Sequence, residues 1–338
     1  MDASAGDGPV DARAPLHPCF GRPGATFAYR SSALHGADPR EDARAPPTLP
    51  VVLPDVSIYM LFAHRQWRAG MLLADLVYAG IVPCMGRTVL ELGAGTGLPA
   101  LTAAYCGAKK VLATDYDDDA ILRALRDNMR RAMSANPARA HAPVSVFGHT
   151  WGQSVEDILD QVPGGGHVDV VLLADCVWER FSHEALLKSV CRVLAHSPNA
   201  RVYMVAGFHT GRATLAQFFR RALSSGLALV PIEGASAWPP LSGCGAGAVD
   251  RAAGTHALPG QDFIVEVEVE GGLDEGHAAD THPRAAAPPP SATTPDAGTI
   301  CASLSGRRRA FTLSDDDEVP VQHRNRWLTV SCFAWATV

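Results

Sequence analysis

The chain has 338 residues, 47% of them hydrophobic and 19% charged, which excludes a fully disordered or fibrous protein. The formal net charge is −6 and only three residues are lysines, so we expect no nucleic-acid partner. Residues 1–50 and 271–320 are rich in Ala, Gly and Pro and hold 14 of the 25 prolines. Segments of this composition bury too little apolar surface to offset the loss of conformational entropy on ordering. We therefore predict a mostly disordered extension over residues 1–50 and one domain over residues 51–338.

The eight cysteines include no CxxC pair, so the sequence predicts no metal site. Cys106, Cys176, Cys191 and Cys332 lie within apolar runs and are expected to be reduced core residues. The first residues lack the apolar stretch of a signal peptide, and no run of 18 apolar residues predicts a membrane span. We expect a cytoplasmic protein, with the nucleus as a further location.

From residue 60 onward the pattern alternates between helix and strand, and this alternation predicts an α/β fold with a parallel sheet covered on both faces. The predicted strands lie at residues 88–92, 111–114, 144–147, 168–174 and 201–206. The predicted helices lie at residues 62–79, 99–106, 117–133, 183–194 and 214–224, with a further start near residue 154.

Near the C-terminus, residues 227–230 and 326–335 are strand-like without a helical segment between them. A closing hairpin interrupted by a low-complexity insertion over about 236–321 explains this pattern, and we expect the insertion to be disordered. Residues 263–268 alternate with a period of two, so they compete with residues 227–230 for the sixth strand. The basic run 307–309 and the acidic run 315–318 are expected in solvated loops.

A glycine-rich segment, residues 91–97 (ELGAGTG), follows the first parallel strand and opens a helix. The Lys-Ser/Thr of a phosphate-binding P-loop is missing, because Leu98 and Pro99 follow. The spacing is GxGxG and not the GxGxxG of a dinucleotide loop, and the carboxylate of Glu91 would repel a pyrophosphate. S-adenosylmethionine carries no phosphate, and its amino and sulfonium groups suit a nearby carboxylate. A dinucleotide loop and a purely structural turn remain as alternatives.

Two further residues support a nucleoside-containing ligand. Asp115 ends the second strand, 18 residues after Gly97, where a carboxylate can bind ribose hydroxyls; it could instead cap the next helix. Trp151 follows the third strand, at the carboxyl edge where open sheets bind ligands. It is predicted to lie beside adenine, with a core position as the alternative.

Taken together, these motifs resemble class I, seven-strand S-adenosylmethionine-dependent methyltransferases. Within that class the sequence is similar to the lysine-methyltransferase-like family 16, which includes elongation-factor lysine and N-terminal methyltransferases and nicotinamide N-methyltransferase-like proteins. The matching stretches are residues 61–70, 90–99, 113–116, 149–152, 173–178, 207–212 and 326–330.

The resemblance implies a single Rossmann-like sheet in the order 3-2-1-4-5-7-6, with the last strand antiparallel and helices on both faces. It also implies a set of donor contacts, to which Glu91 is added from its position beside the loop. The predicted cofactor-binding residues are Trp67, Glu91, Gly93, Ala94, Gly95, Asp115, Trp151 and Ala174. Three features depart from the family pattern: Arg68 replaces the usual Asn, Trp178 takes the place of a Tyr, and the long insertion is atypical.

Three predicted catalytic residues lie near the ends of the fourth and fifth strands. Asp175 would orient the acceptor amine, Trp178 would form an aromatic wall, and His209 could move a proton. Each has a structural alternative, namely a helix cap for Asp175, core packing for Trp178 and an ordinary loop histidine for His209. Arg212 is expected to be solvated rather than to bind an acidic substrate group.

The leading functional hypothesis is an N-methyltransferase, acting as a monomer on a protein amine, either a lysine or an N-terminus, for example of an elongation factor. The alternative is methylation of a small-molecule amine such as nicotinamide. A third possibility is a catalytically silent protein that binds the donor or a partner.

Overall fold

The computed structural model describes residues 16–31, 48–55, 62–135, 141–232, 258–269, 299–300, 302, 304–313 and 324–338. Within these residues the strands are β1 (Cys19–Phe20), β2 (Thr26–Arg30), β3 (Thr48–Val52), β4 (Gln66–Trp67), β5 (Thr88–Leu92), β6 (Lys110–Asp115), β7 (Val144–Gly148), β8 (Val170–Ala174), β9 (Arg201–Gly207), β10 (Leu227–Leu229), β11 (Val265–Val269), β12 (Thr299–Ile300), β13 (Leu304–Ala310) and β14 (Trp327–Trp335). The helices are α1 (Arg68–Tyr78), α2 (Leu98–Tyr105), α3 (Asp119–Ala135), α4 (Glu156–Leu159), α5 (His183–Val193) and α6 (Arg212–Ser224).

The main sheet runs in the order β13-β11-β14-β9-β8-β5-β6-β7, and β10 also pairs with β14. Its strands β7, β6, β5, β8 and β9 are parallel, while β14 is antiparallel to β9. The predicted α/β class with a large, mostly parallel sheet is confirmed. The sheet has nine strands in the described residues rather than seven.

Helices cover both faces because the central strands are apolar on both sides; all five residues of β5, for example, are buried. Residues of α1, α2 and α3, among them Leu72 and Leu125, share one hydrophobic cluster with one face of the sheet. Residues of α5 and α6, among them Leu186 and Phe218, share another cluster with the opposite face. This arrangement leaves the carboxyl ends of the parallel strands as the place where loops meet.

Both candidates for the sixth strand are strands. Leu227–Leu229 pairs with one end of β14, at Phe333 to Trp335, and β11 pairs with the other end, at Trp327 to Val330. They lie one after the other along the edge of β14 opposite β9. The nine-residue β14 is long enough to pair with both short strands.

The prediction of a disordered N-terminal extension is wrong for its described residues. β2 and β3 form an antiparallel hairpin, and β1 pairs with β4. Tyr29, Leu49 and Val51 are each at most 1% exposed. An Ala/Gly/Pro-rich composition does not exclude order, because a few large side chains suffice to anchor short strands to the domain; residues 1–15 and 32–47 lie outside the described residues.

The insertion also departs from prediction, because β11 and β13 extend the main sheet. The run 307–309 therefore belongs to a strand and not to a loop. Arg212, expected in solvent, is 4% exposed. The buried carboxylates of Glu266 and Glu268 in β11 pair with Arg212, Arg307 and Arg309. The acidic run 315–318 lies outside the described residues.

Smaller differences concern the first helix and the cysteines. The helix begins at Arg68 rather than at residue 62, because residues 62–67 form a turn and the short strand β4. Of the described cysteines, Cys84, Cys176 and Cys332 are buried, while Cys19, Cys106 and Cys191 are partly exposed. No helix within the described residues is long and apolar enough to cross a membrane.

Candidate active site

A cavity of about 460 Å³ lies where β5, β6 and β8 end. Ten of the eleven predicted site residues line it, and the exception is His209. The lining set comprises Trp67, Glu91, Gly93, Ala94, Gly95, Asp115, Trp151, Ala174, Asp175 and Trp178. The structure thus brings together residues that are up to 111 positions apart in the sequence.

The floor of the cavity is the glycine loop between β5 and α2. Gly93 has φ +67°, and a Cβ there would lie 3.0 Å from both Cζ2 of Trp151 and Sγ of Cys176. Gly95 has φ +54°, and no atom lies within 4 Å of the position of its Cβ. Gly93 is therefore required for close packing, whereas Gly95 leaves space in which a ligand can approach the backbone.

The carboxylate of Asp115 is tied to this loop. Its Oδ2 accepts a hydrogen bond of 2.6 Å from the backbone N–H of Gly95, and its Oδ1 accepts one of 2.7 Å from Tyr116. Burial raises the pKa of Asp115, although both hydrogen bonds favour the ionised form. Each oxygen retains a further lone pair, which suits the predicted contact with ribose hydroxyls.

Glu91 is 1% exposed and reaches across the start of α2. Its Oε2 accepts a hydrogen bond of 2.9 Å from the N–H of Ala100. Burial raises the pKa of Glu91 to about 8, and the charge of Asp115 adds to this shift. When ionised, the two acidic side chains make this site unfavourable for a pyrophosphate and favourable for a cation.

Trp151 is half-buried, and its contact with adenine stays a prediction. One part of the ring packs against the hydrophobic cluster on the α5 and α6 face of the sheet. The ring also lines the cavity beside Gly93. A flat aromatic surface at this place can stack against a purine.

The side of the cavity that is predicted to take the methyl acceptor centres on Asp175. This residue has φ +53°, an uncommon conformation for a residue other than glycine. Its Oδ1 accepts a hydrogen bond of 2.7 Å from the N–H of Gly207 and lies 3.1 Å from Nε2 of His209. Its Oδ2 is buried and has no hydrogen-bond partner. A buried carboxylate oxygen without a partner is costly, which makes it a candidate for binding a ligand N–H or O–H.

His209 does not line the cavity but forms a hydrogen bond with Asp175, which does. Burial lowers its pKa, but the charge and hydrogen bond of Asp175 outweigh this effect, so the pKa of His209 is raised. Its ring also packs against Trp67, with ring centres 5.0 Å apart. The structure therefore gives His209 the position of a residue that holds Asp175.

Aromatic rings form the mouth of the cavity, and sequence reasoning did not single out two of them. Phe62 has φ +52° and packs edge-on against Trp67 and Trp178, with centres 6.1 and 5.4 Å apart. Phe181 lines the cavity while 83% exposed. Phe62 lies inside the matching stretch 61–70, which was the available signal, whereas Phe181 lies outside every matching stretch.

The residues present fit S-adenosylmethionine. Gly95 offers open backbone, Asp115 a carboxylate for ribose, and Trp151 an aromatic face for adenine. Glu91 offers a carboxylate for the amino or sulfonium group. Arg65 lines the cavity, and its cationic side chain suits the carboxylate of the donor. Its guanidinium donates a 2.6 Å hydrogen bond to the carbonyl of Gly21.

Comparison with known proteins assigns the family. Residues 61–224 match the model of a family described as lysine methyltransferase. "Protein N-terminal and lysine N-methyltransferase EFM7" of Cryptococcus neoformans is 34% identical over 148 residues, which cover 44% of this chain and 48% of that protein. The protein of the same name from Schizosaccharomyces pombe is 32% identical, over 46% of this chain and 59% of that protein.

A third protein of that name, from Eremothecium gossypii, is 32% identical over 219 residues, which cover 63% of this chain and 78% of that protein. The fold and the cavity define a Rossmann-like protein with a site that fits a methyl donor. The chain belongs to the lysine methyltransferase family. It spans about half the length of the Cryptococcus relative.

Proposed function

We propose that this protein transfers a methyl group from S-adenosylmethionine to an amine of a protein substrate. The observation that carries the proposal is Asp175, which lines the same cavity as the glycine loop and Asp115 and whose Oδ2 is buried without a hydrogen-bond partner. One part of the cavity thus suits the methyl donor. The other part offers the carboxylate of Asp175 as a hydrogen-bond acceptor for the N–H of an amine substrate.

The donor, when bound, supplies an electrophilic methyl carbon on a sulfonium. The protein's part is to bind and align the acceptor, because such a displacement requires the nucleophile at about 3 Å and in line with the bond that breaks. Asp175 would accept a hydrogen bond from the amine through Oδ2, directing the nitrogen lone pair away from itself. The amine nitrogen would take the methyl group from the sulfonium, whose bonding electrons stay on sulfur, and Asp175 would accept the proton that the nitrogen then releases.

A protein acceptor is supported by the aromatic mouth of the cavity. Phe62, Tyr116 and Phe181 line the cavity and are 39%, 44% and 83% exposed, so an apolar rim faces solvent. Exposed aromatic groups of this kind are typical of protein interaction sites. The relatives named above are protein N-terminal and lysine methyltransferases. We propose a lysine or an N-terminus as the acceptor, with an elongation factor as the candidate substrate.

We further propose that the protein acts as a monomer in the cytoplasm or nucleus. Cysteines present as thiols, such as the buried Cys84 and Cys176, are compatible with a reducing compartment.

The test is incubation of the purified protein with tritiated donor and lysate from cells lacking it, with nicotinamide in a parallel reaction. We expect acid-precipitable label, with mass spectrometry placing it on a lysine or an N-terminus. Asp115→Ala should abolish the label, Asp175→Asn should strongly reduce it, and Asp169→Asn, at the opposite end of β8, should retain it. Label confined to small molecules would favour the alternative substrate class, and donor binding without any transfer would favour a silent protein.

A further inference from the structure

The insertion ribbon, defined here as β11 with β13, carries two buried acidic residues on one face of β11. The side chain of Glu266 is fully buried, and that of Glu268 is 1% exposed. Buried carboxylates are unfavourable unless paired, and each has arginine partners. Arg307 and the hydroxyl of Ser305 contact Glu268, whereas Glu266 has a partner outside the ribbon.

That partner is Arg212, the first residue of α6. Its guanidinium donates two hydrogen bonds to Glu266, one of them 2.8 Å long, and it lies 4.4 Å from the ring centre of Phe208. It also donates to the carbonyl of Thr312, just beyond β13, at 3.2 Å. Arg309 of the ribbon completes the pairing of Glu266.

Arg212 directly follows the acceptor loop, defined here as residues 208–211. The His209 side chain in this loop holds Oδ1 of Asp175. The hydroxyl of Thr210 donates a 2.6 Å hydrogen bond to the carbonyl of Trp178. The loop therefore touches two predicted acceptor-side residues at one end and is fixed to the insertion ribbon at the other.

We propose that Glu266 is a positioning residue for methyl transfer: by fixing Arg212 it fixes the acceptor loop, and through His209 it fixes the carboxylate of Asp175. The inference rests on the proposed function. It assigns a role to a strand outside the family match at residues 61–224. Glu266 touches neither the cavity nor its predicted ligands, so it acts only through Arg212.

The physical basis is the burial of the pair. The side chain of Arg212 is 3% exposed. Loss of the Glu266 charge would therefore leave the positive charge of Arg212 in the interior without its negative partner, which is unfavourable. Arg212 would then move toward water. Because it is joined to the acceptor loop through the backbone, this movement would displace His209 and loosen Asp175.

The test compares Glu266→Gln with Glu268→Gln, a matched control on the same strand and face with a paired carboxylate of its own. With a methyl-accepting protein substrate, we expect Glu266→Gln to lower kcat about ten-fold, because small misplacement of reacting groups has large effects on rate. KM for the donor and the donor Kd should stay unchanged. Glu268→Gln should keep the wild-type kcat even where it lowers the thermal midpoint by a similar amount.

Two measurements separate positioning from general destabilisation. Arg212→Lys keeps the charge but loses the paired geometry, and its combination with Glu266→Gln should lower kcat no further than either change alone. The imidazole NMR signals of His209, assigned with His209→Gln, should shift in Glu266→Gln and not in Glu268→Gln. This second readout does not depend on methyl transfer, so it tests the positioning even if the proposed function fails.

Equal kcat losses in the two glutamine variants would overturn the proposal, as would unchanged His209 signals in Glu266→Gln.

Discussion

Asp175 and His209 share a hydrogen bond of 3.1 Å between Oδ1 and Nε2, and the second oxygen of Asp175 is left buried without a partner. The Gly207 N–H also binds Oδ1, so the carboxylate is held on one side only. We expect the oxygen without a partner to bind a ligand N–H or O–H. Asp175, which directly follows β8, has a left-handed backbone conformation that is uncommon for residues other than glycine.

Replacement of Asp175 by Asn should lower kcat by about 100-fold, because an amide in its place cannot accept the released proton. Donor affinity, measured by calorimetry, should stay within experimental error of the wild type. Asp169→Asn is the control, since Asp169 binds the N–H of Thr88 at the other end of the strand. A wild-type rate in Asp175→Asn would remove this residue from the mechanism.

Gly95→Val should abolish donor binding in calorimetry. The branched side chain is strained at φ +54° and would enter the space above the loop. Gly165→Val is a suitable control, because Gly165 has φ +68° and open space around it but lies away from the cavity. If both variants bind the donor equally well, the glycine loop is not its binding site.

Glu91 should make donor binding depend on pH. Its pKa of about 8 means that it is largely protonated at pH 6 and ionises as the pH rises, so a cationic donor should bind about ten-fold more tightly at pH 8 than at pH 6. Calorimetry across this range should show a much flatter profile for Glu91→Gln. The exposed Glu156→Gln should behave as the wild type, and a slope that survives in Glu91→Gln would contradict the assignment.

The carboxyl group of Glu91 should also make the free energy of unfolding decrease as the pH rises. The pKa of Glu91 lies above its ordinary 4.5, so the folded state binds more protons than the unfolded chain between about pH 4.5 and 8. The contribution of Glu91 to the free energy of unfolding is therefore present below this window and is lost as the pH rises through it. Urea unfolding of Glu91→Gln should show a smaller decline across the window than the wild type.

Tyr29→Phe should lower the free energy of unfolding by about 1–3 kcal/mol, the usual effect of leaving a buried group unpaired. The hydroxyl of Tyr29 donates to Oδ1 of Asp75 in α1, and both residues are at most 1% exposed. Tyr116→Phe, at a position 44% exposed, is the control for loss of a phenol hydroxyl in urea unfolding. A change no larger than that of the control would show that the N-terminal hairpin adds little to stability.

The sequence predicted the parallel strands and the position of the cavity because these depend on local patterns. Continuous apolar runs identify β5 and β8, and the residues that follow such strands must meet at one edge of the sheet. Asp115 and Asp175 could therefore be assigned to the site without any knowledge of distances.

The unpartnered oxygen of Asp175 and the pairing of Arg212 with Glu266 could not be predicted in this way. Arg212 and Glu266 are 54 residues apart, and their contact depends on the register between β11 and β14. Composition likewise gave no sign that Tyr29 would reach Asp75. These features follow from tertiary packing between distant segments. The average amino-acid composition of a segment contains no information about such contacts.

The added ribbon also changes what the sheet presents to other molecules. In the described residues β13 is the outermost strand on its side, and an outermost strand offers unpaired backbone groups to any second chain. Here that strand carries Arg307, Arg308 and Arg309 in succession, and two of these guanidinium groups lie within 6.0 Å of the ring centre of Trp327. Arg307 and Arg309 pair with the buried carboxylates of Glu268 and Glu266, so the strand added to the sheet brings with it the counter-charges that its neighbour β11 needs.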